Sequence, residues 1–81
     1  MIRVVLSGPL EKAAGNPGPI EMEAASVREL VERLGADYPS LKPTLDKGVS
    51  VAVDGQLHRR PTYLRLAPGS EVHVLVPLSG G

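Results

Sequence analysis

No cysteine, tryptophan or phenylalanine occurs in this chain of 81 residues. The missing cysteine removes disulfides, thiolate nucleophiles, iron–sulfur ligation and cysteine-type zinc sites together. Aromatics are limited to Tyr38 and Tyr63, which leaves little surface on which nucleobases stack. An excess of charge is missing too: nine basic and nine acidic residues cancel. The chain therefore lacks the electrostatic footprint that phosphate backbones select, and no nucleic acid partner is expected. Long apolar runs are also absent. The start, Met1-Ile2-Arg3-Val4-Val5-Leu6-Ser7-Gly8-Pro9, breaks well short of the roughly 7–15 apolar residues of a signal peptide or the roughly 20 of a membrane span. The expectation is a cytoplasmic protein with no membrane partner.

What is present is 42% hydrophobic residues with nine glycines and eight prolines, the composition of one small core interrupted by many turns. Ile2, Val4 and Leu6 alternate with Arg3, Val5 and Ser7, the period of a strand buried on one face. Residues 8–18 hold three glycines, two prolines and Asn16, and read as a loop with one helical turn at 10–14. Residues 19–23 form a short second strand with Ile20 and Met22 inward. Ser26-Val27-Arg28-Glu29 is a capping box, in which the serine oxygen accepts from the amide three residues on and the glutamate reaches back. Val27, Leu30, Val31 and Leu34 then fall at i, i+3, i+4 and i+7, one apolar helical stripe. Gly35 or Pro39 closes that helix, and residues 39–48 are expected to be irregular, anchored by Leu41 and Leu45.

Val49, Val51 and Val53 alternate with Ser50 and Ala52 up to Asp54-Gly55, a strong hairpin dipeptide. A short edge strand is expected over 62–66, a turn at 67–70 and a last full strand over 71–76 with Val72, Val74 and Val76 inward. One helix covering one face of a mixed sheet of four to five strands is an α+β architecture. The first two strands pair antiparallel, and the first and last are expected side by side in the middle. The expected division is a domain over 1–76 followed by a flexible arm, 77–81.

That arm reads Pro77-Leu78-Ser79-Gly80-Gly81. The element order, the segment Val51-Ala52-Val53-Asp54-Gly55-Gln56, the run Pro68-Gly69-Ser70-Glu71-Val72 and the Gly-Gly ending together resemble the MoaD/ThiS family of ubiquitin-like, β-grasp sulfur carriers. The resemblance covers essentially the whole chain. The length and the form of the ending are similar to the small subunit of molybdopterin synthase, MoaD. Two places depart from the family pattern. Val74-Leu75-Val76 stands where an aromatic often precedes the tail, and Leu10-Glu11-Lys12-Ala13-Ala14-Gly15 is a weaker match to the first loop.

The resemblance implies a carrier with no catalytic residues of its own and no bound cofactor. An E1-like adenylating enzyme of the MoeB/ThiF type would use ATP to activate Gly81, which then accepts sulfur as a thiocarboxylate. A large subunit of the MoaE type would receive Pro77, Leu78, Ser79, Gly80 and Gly81 in its active site. The glycines suit this role because, lacking a β-carbon, they let the backbone approach a reacting group closely. Proline at 77 has no amide donor and helps end strand pairing. The same activation serves a modifier joined to lysines, or a carrier for thiamine or tRNA thiolation, and a plain β-grasp interaction module is a third reading.

Strand alternation supplies one more candidate. If Val72, Val74 and Val76 face the helix, then Arg3, Val5, Ser50, Ala52, His73 and Leu75 lie on the other side of the sheet. Val5, Ala52, His73 and Leu75 are the candidate partner-docking face. His58 and His73, without cysteine or close carboxylates, do not make a metal site. Arg59-Arg60 reads as a solvated turn, and no lysine arrangement suggests a phosphate site.

Overall fold

The computed structural model describes residues 1–58 and 64–76. β1 (Ile2–Leu6) shows the expected alternation: Ile2, Val4 and Leu6 are buried and Arg3 is exposed. The chain then turns directly into α1 (Gly8–Ala13), a six-residue helix where only one helical turn within a loop was expected. The reason lies in Pro9, which occupies the first turn, where its missing N–H removes no helical bond and its fixed φ suits the helix. Leu10, 2% exposed, anchors this helix in the core. Glu11 ties down the loop that follows, its carboxylate accepting from the amide of Gly18 at 3.1 Å.

β2 (Ile20–Met22) pairs antiparallel with β1, Ile2 opposite Met22 and Val4 opposite Ile20. α2 (Val27–Asp37) begins where the capping box places it, and Ser26 Oγ accepts from the Glu29 amide at 3.2 Å. Val27, Leu30 and Leu34 are buried, and Val31 packs at the edge of the same stripe. The helix runs through Gly35 to Asp37 and stops before Pro39, whose ring disfavours helical geometry at Tyr38.

The segment after Pro39 is not irregular. A 3₁₀ turn (Pro39–Leu41) runs into α3 (Lys42–Asp46). Pro39 and Pro43 each sit in the first turn of their element, so neither breaks it. Leu41 and Leu45 are the anchors, as expected. Ser40 Oγ donates to the carbonyl of Ala13 at 2.7 Å, joining this segment to the end of α1.

β3 (Ser50–Val53) and β4 (Gln56–His58) form an antiparallel hairpin, Val53 opposite Gln56. Its two turn residues, Asp54 and Gly55, both have positive φ, +48° and +87°, the turn geometry that matches strand twist. β4 is thus an edge strand, at a position expected to be a connection. The edge strand expected over 62–66 lies partly outside the described residues. Its described part does not join the sheet: Leu64 O accepts from Val27 N at 2.9 Å and Leu66 N donates to Ala25 O at 3.0 Å, so it straps the start of α2.

β5 (Glu71–Leu75) completes a five-stranded sheet of order β2-β1-β5-β3-β4. It is parallel to β1 and antiparallel to β3, so first and last strands lie side by side at the centre. Val4, Val51, Val72, Val74, Leu30, Leu34 and Leu41 have no exposed surface and form one core between the sheet and the helices. At about 1.5–3 kcal/mol for each fully buried aliphatic, that layer supplies the main stabilising term.

Candidate functional site: the open sheet face and the tail root

Every core residue of β1, β3 and β5 alternates with one that points away from the helices. Cross-strand register brings those outward residues into ranks. Val5 stands opposite His73, His73 opposite Ala52 and Ala52 opposite Leu57, a continuous rank across β1, β5, β3 and β4. Val5, His73 and Ala52 are half-buried and Leu57 is 56% exposed. Leu75 lies two residues further along β5, opposite Ser50. The four residues expected on the docking face, Val5, Ala52, His73 and Leu75, therefore do share one face.

Leu57 was not among them. The signal for it was the Asp54-Gly55 turn: a two-residue hairpin pairs 53 with 56 and 52 with 57, which carries Leu57 to the side of Ala52.

A charged rank borders the apolar one. Arg3 is the cross-strand partner of both Glu21 and Glu71. Its Nε lies 3.7 Å from Glu71 Oε2, while Glu71 Oε1 is 3.1 Å from His73 Nε2. Glu71 thus links the guanidinium to the imidazole and fixes the ring at the centre of the apolar rank. The side chains are about half exposed, so these contacts orient more than they stabilise, at roughly 0–1 kcal/mol each. Asp54 Oδ1 accepts from the Glu71 amide at 2.9 Å, and the Asp54 amide donates to the Glu71 carbonyl at 2.9 Å.

The far end of β5 is where the chain leaves the sheet. The Ser7 amide donates to Val74 O at 2.9 Å, but the Ser7 carbonyl accepts from Glu11 N at 2.8 Å and so belongs to α1. On the other side, β3 starts at Ser50, opposite Leu75. Both neighbours of β5 therefore end within one residue of Leu75, the last residue of β5 with a described cross-strand partner. The expected tail residues Pro77, Leu78, Ser79, Gly80 and Gly81 lie outside the described residues, as does Arg59-Arg60.

The two histidines are on opposite sides of the sheet. His58 is the partner of the buried Val51, whereas His73 is on the open face. Among the described residues no group of three or more histidine, aspartate or glutamate side chains is placed to hold a metal. A groove of about 480 Å³ bordered by Ile2, Ala24, Leu66 and Pro68 lies at the start of β1, the end of the molecule away from the tail root. No described helix is long and apolar enough to cross a membrane.

A model of the ThiS family matches residues 4–81. The chain belongs to the ThiS/MoaD family. This is a family of small ubiquitin-like carrier and modifier proteins with the β-grasp fold, and the mixed sheet with α2 across one face is that fold. Three solved structures illustrate the likeness. Small archaeal modifier protein 1 from Methanosarcina acetivorans superposes with a TM-score of 0.81 at 24% identity, over 99% of this chain and 95% of that one. The BexX/CysO complex of Amycolatopsis orientalis gives 0.79 at 18% identity, over 100% of both chains. The complex of subunits 1 and 2 of molybdopterin-converting factor from Helicobacter pylori gives 0.67 at 21%, over 99% and 97%. No curated protein sequence matches the chain significantly. In this ThiS/MoaD chain the central strand carries the sequence toward its Gly-Gly ending from the border of an apolar face.

Proposed function

We propose that this protein is a sulfur carrier whose reactive group is the carboxylate of Gly81, working in the cytoplasm and donating sulfur in molybdopterin biosynthesis. The observation that carries the reading is the position of β5: its last residues emerge from between two strands that have just ended, at the edge of an exposed apolar rank, and the family match runs through to residue 81. The form Pro77-Leu78-Ser79-Gly80-Gly81 favours the molybdopterin branch of the family.

The chemistry follows from the weakness of a carboxylate as an electrophile. The Gly81 carboxylate attacks the α-phosphate of ATP held by an E1-like adenylating enzyme of the MoeB/ThiF type, releasing pyrophosphate and forming an acyl-adenylate. Hydrosulfide then displaces AMP and leaves a thiocarboxylate directly, whereas an enzyme persulfide displaces AMP to give an acyl disulfide, from which a second enzyme thiol releases the thiocarboxylate while the enzyme is left with a disulfide. The tail next enters the active site of a large synthase subunit of the MoaE type, where sulfur passes to a pterin precursor. The carrier supplies orientation, because misplacement of a reacting atom by about 1 Å costs roughly 100-fold in rate. Val5, Ala52, His73 and Leu75 serve as the docking face, and Pro77, Leu78, Ser79 and Gly80 as the lead into the partner.

Incubation with the adenylating enzyme of the same organism, ATP and a sulfur donor tests this by intact-protein mass spectrometry. The expected product has one oxygen replaced by sulfur; an unchanged mass with an enzyme active on its own carrier refutes it. Conjugation to lysines uses the same activated Gly81, and thiol-resistant adducts on immunoblots that vanish on deletion of Gly81 would assign the protein to the modifier branch.

A further inference from the structure

Asp54-Gly55 is the single aspartyl-glycyl pair of the chain, and both residues are exposed at the turn of the β3·β4 hairpin. The nitrogen of the residue after an aspartate can attack the side-chain carboxyl and close a five-membered succinimide. Glycine, with no β-carbon, leaves that nitrogen least shielded. The other acidic or amide positions are poorer. Asp37 precedes Tyr38 and Asp46 precedes Lys47, both at helix ends, and Asn16 precedes Pro17, whose nitrogen has no hydrogen to lose. At Asp54 the fold opposes ring closure in two ways. Oδ1 accepts from the Glu71 amide at 2.9 Å and the Asp54 amide donates to the Glu71 carbonyl at 2.9 Å, so carboxylate and backbone are both pinned to the start of β5. The φ angles, +48° at Asp54 and +87° at Gly55, are those of a type I′ turn. Such a turn sets ψ at its first central residue to about +30°, which places the following nitrogen nearly anti to Cβ and out of reach of Cγ.

We propose that Asp54 is a site of spontaneous isomerisation to isoaspartate, and that its clamp to Glu71 admits the reaction only when the hairpin parts locally from β5. In the opened state the Gly55 nitrogen bonds to Asp54 Cγ and loses its proton, and a Cγ–oxygen bond breaks to release water. Hydrolysis then opens the ring at either carbonyl. Breaking the bond from nitrogen to Cγ restores aspartate. Breaking the bond from nitrogen to the main-chain carbonyl carbon leaves isoaspartate, with the chain running through Cβ and Cγ and the free carboxylate on Cα. The water released in the first step is taken up in the second, so the mass is unchanged. The product carries one extra main-chain atom in the turn, which disturbs the pairing of Val53 with Gln56 and of Ala52 with Leu57. Its carboxylate also leaves the Glu71 amide, loosening the start of the strand whose Glu71 side chain holds His73. The modification thus acts on the open face from its edge. A carboxyl methyltransferase using S-adenosylmethionine and specific for isoaspartyl residues is the class of enzyme that recognises the product. None of this depends on the carrier reading above.

The test keeps the full-length chain at neutral pH in water enriched in heavy oxygen, either folded or unfolded in about 6 M guanidinium chloride. Each ring opening leaves one heavy oxygen at Asp54, which mass spectrometry of tryptic peptides locates, and an isoaspartyl methyltransferase with labelled S-adenosylmethionine counts the isomerised product. In the unfolded chain, label and isoaspartate are expected at Asp54 well before Asp37 or Asp46. In the folded chain the rate at Asp54 should fall at least about tenfold, and the slowing should match the hydrogen-exchange protection of the Asp54 and Glu71 amides within about threefold. Asp54→Asn keeps an oxygen for the Glu71 amide and loses ammonia instead of water, so its conversion to aspartate and isoaspartate should show the same ratio on a shorter timescale. A folded rate equal to or above the unfolded one overturns the proposal. So does a slowing that does not follow the protection of those two amides, and so does an unfolded chain that reacts no faster at Asp54 than at Asp37 and Asp46.

Discussion

Leu57 stands directly opposite Ala52 across the β3·β4 hairpin, and this pairing extends the apolar rank of the open face to the edge of the sheet. At 56% exposed, Leu57 contributes little to the core and is one of the two large hydrophobic residues most open to solvent among those described. A side chain of this kind is retained at a cost in solubility unless something covers it. Leu57→Asp should leave the melting temperature within about 4 °C of wild type, because an exposed surface change is usually within about 0.5 kcal/mol. The same change should raise KM in the adenylation assay at least about tenfold, the effect of truncating or charging an interface anchor. A variant that melts normally and is activated normally would remove Leu57 from the docking face.

The structure also shows which parts of this chain a reader of its sequence can reach. β1, β3 and β5 and the stripe of α2 are visible because each repeats its own period over several turns or pleats, and one face is buried to completion at Val4, Val51, Val72, Val74, Leu30 and Leu34. The Ser26 cap is visible because its partner is only three residues away. α1 and α3 are hidden by their prolines: Pro9, Pro39 and Pro43 read as breakers, and their position in first turns is settled only by where Leu10, Leu41 and Leu45 find the core. β4 is hidden because Gln56, Leu57 and His58 carry no alternation of buried residues, and its strand character comes from pairing with β3 alone. Of the open sheet face, alternation shows which residues share a side, but the order of the ranks depends on β1 and β5 being parallel and adjacent, a long-range pairing.

Gly35 sits inside α2 facing α3, and it has no positive φ to require glycine. A Cβ built there would lie 3.6 Å from Leu45 Cδ1 and 3.9 Å from Lys42 Cγ, ordinary contact distances. Gly35→Ala should therefore stabilise the fold by about 0.5–1 kcal/mol, through lower unfolded-state entropy and added contact with Leu45. Urea denaturation at constant m-value checks this. A loss of stability would mean that α2 and α3 approach more closely than these distances allow.

Ser26 is the hinge between the strap and the helix: its hydroxyl caps α2, while its neighbours Ala25 and Val27 exchange backbone bonds with Leu66 and Leu64. Removing the hydroxyl leaves the Glu29 amide without that acceptor. Ser26→Ala should cost about 1 kcal/mol, and Ser26→Asp should restore most of it, since aspartate caps as well as serine and favours the positive end of the helix dipole. Equal stability of the alanine and aspartate variants would show that the strap, not the cap, holds the start of α2.

The strictest prediction concerns the position of the reactive group. If Gly81 is activated, its carboxyl carbon must reach the α-phosphate of ATP at a depth set by the docking face and by the number of residues after Leu75, where pairing with β3 ends. One added residue moves the carboxylate by about 3.5 Å of extended chain, several times the roughly 1 Å that already costs about 100-fold. A chain extended by one alanine after Gly81 should therefore bind the adenylating enzyme with near-normal affinity and inhibit the wild-type chain competitively, yet give no pyrophosphate exchange. Its fold should be unaffected, because the core closes at Val72 and Val74. The readout is exchange together with intact mass, the latter to show that no protease has trimmed the extension. Full activity of an untrimmed extended chain would place the reaction somewhere other than the end of this tail.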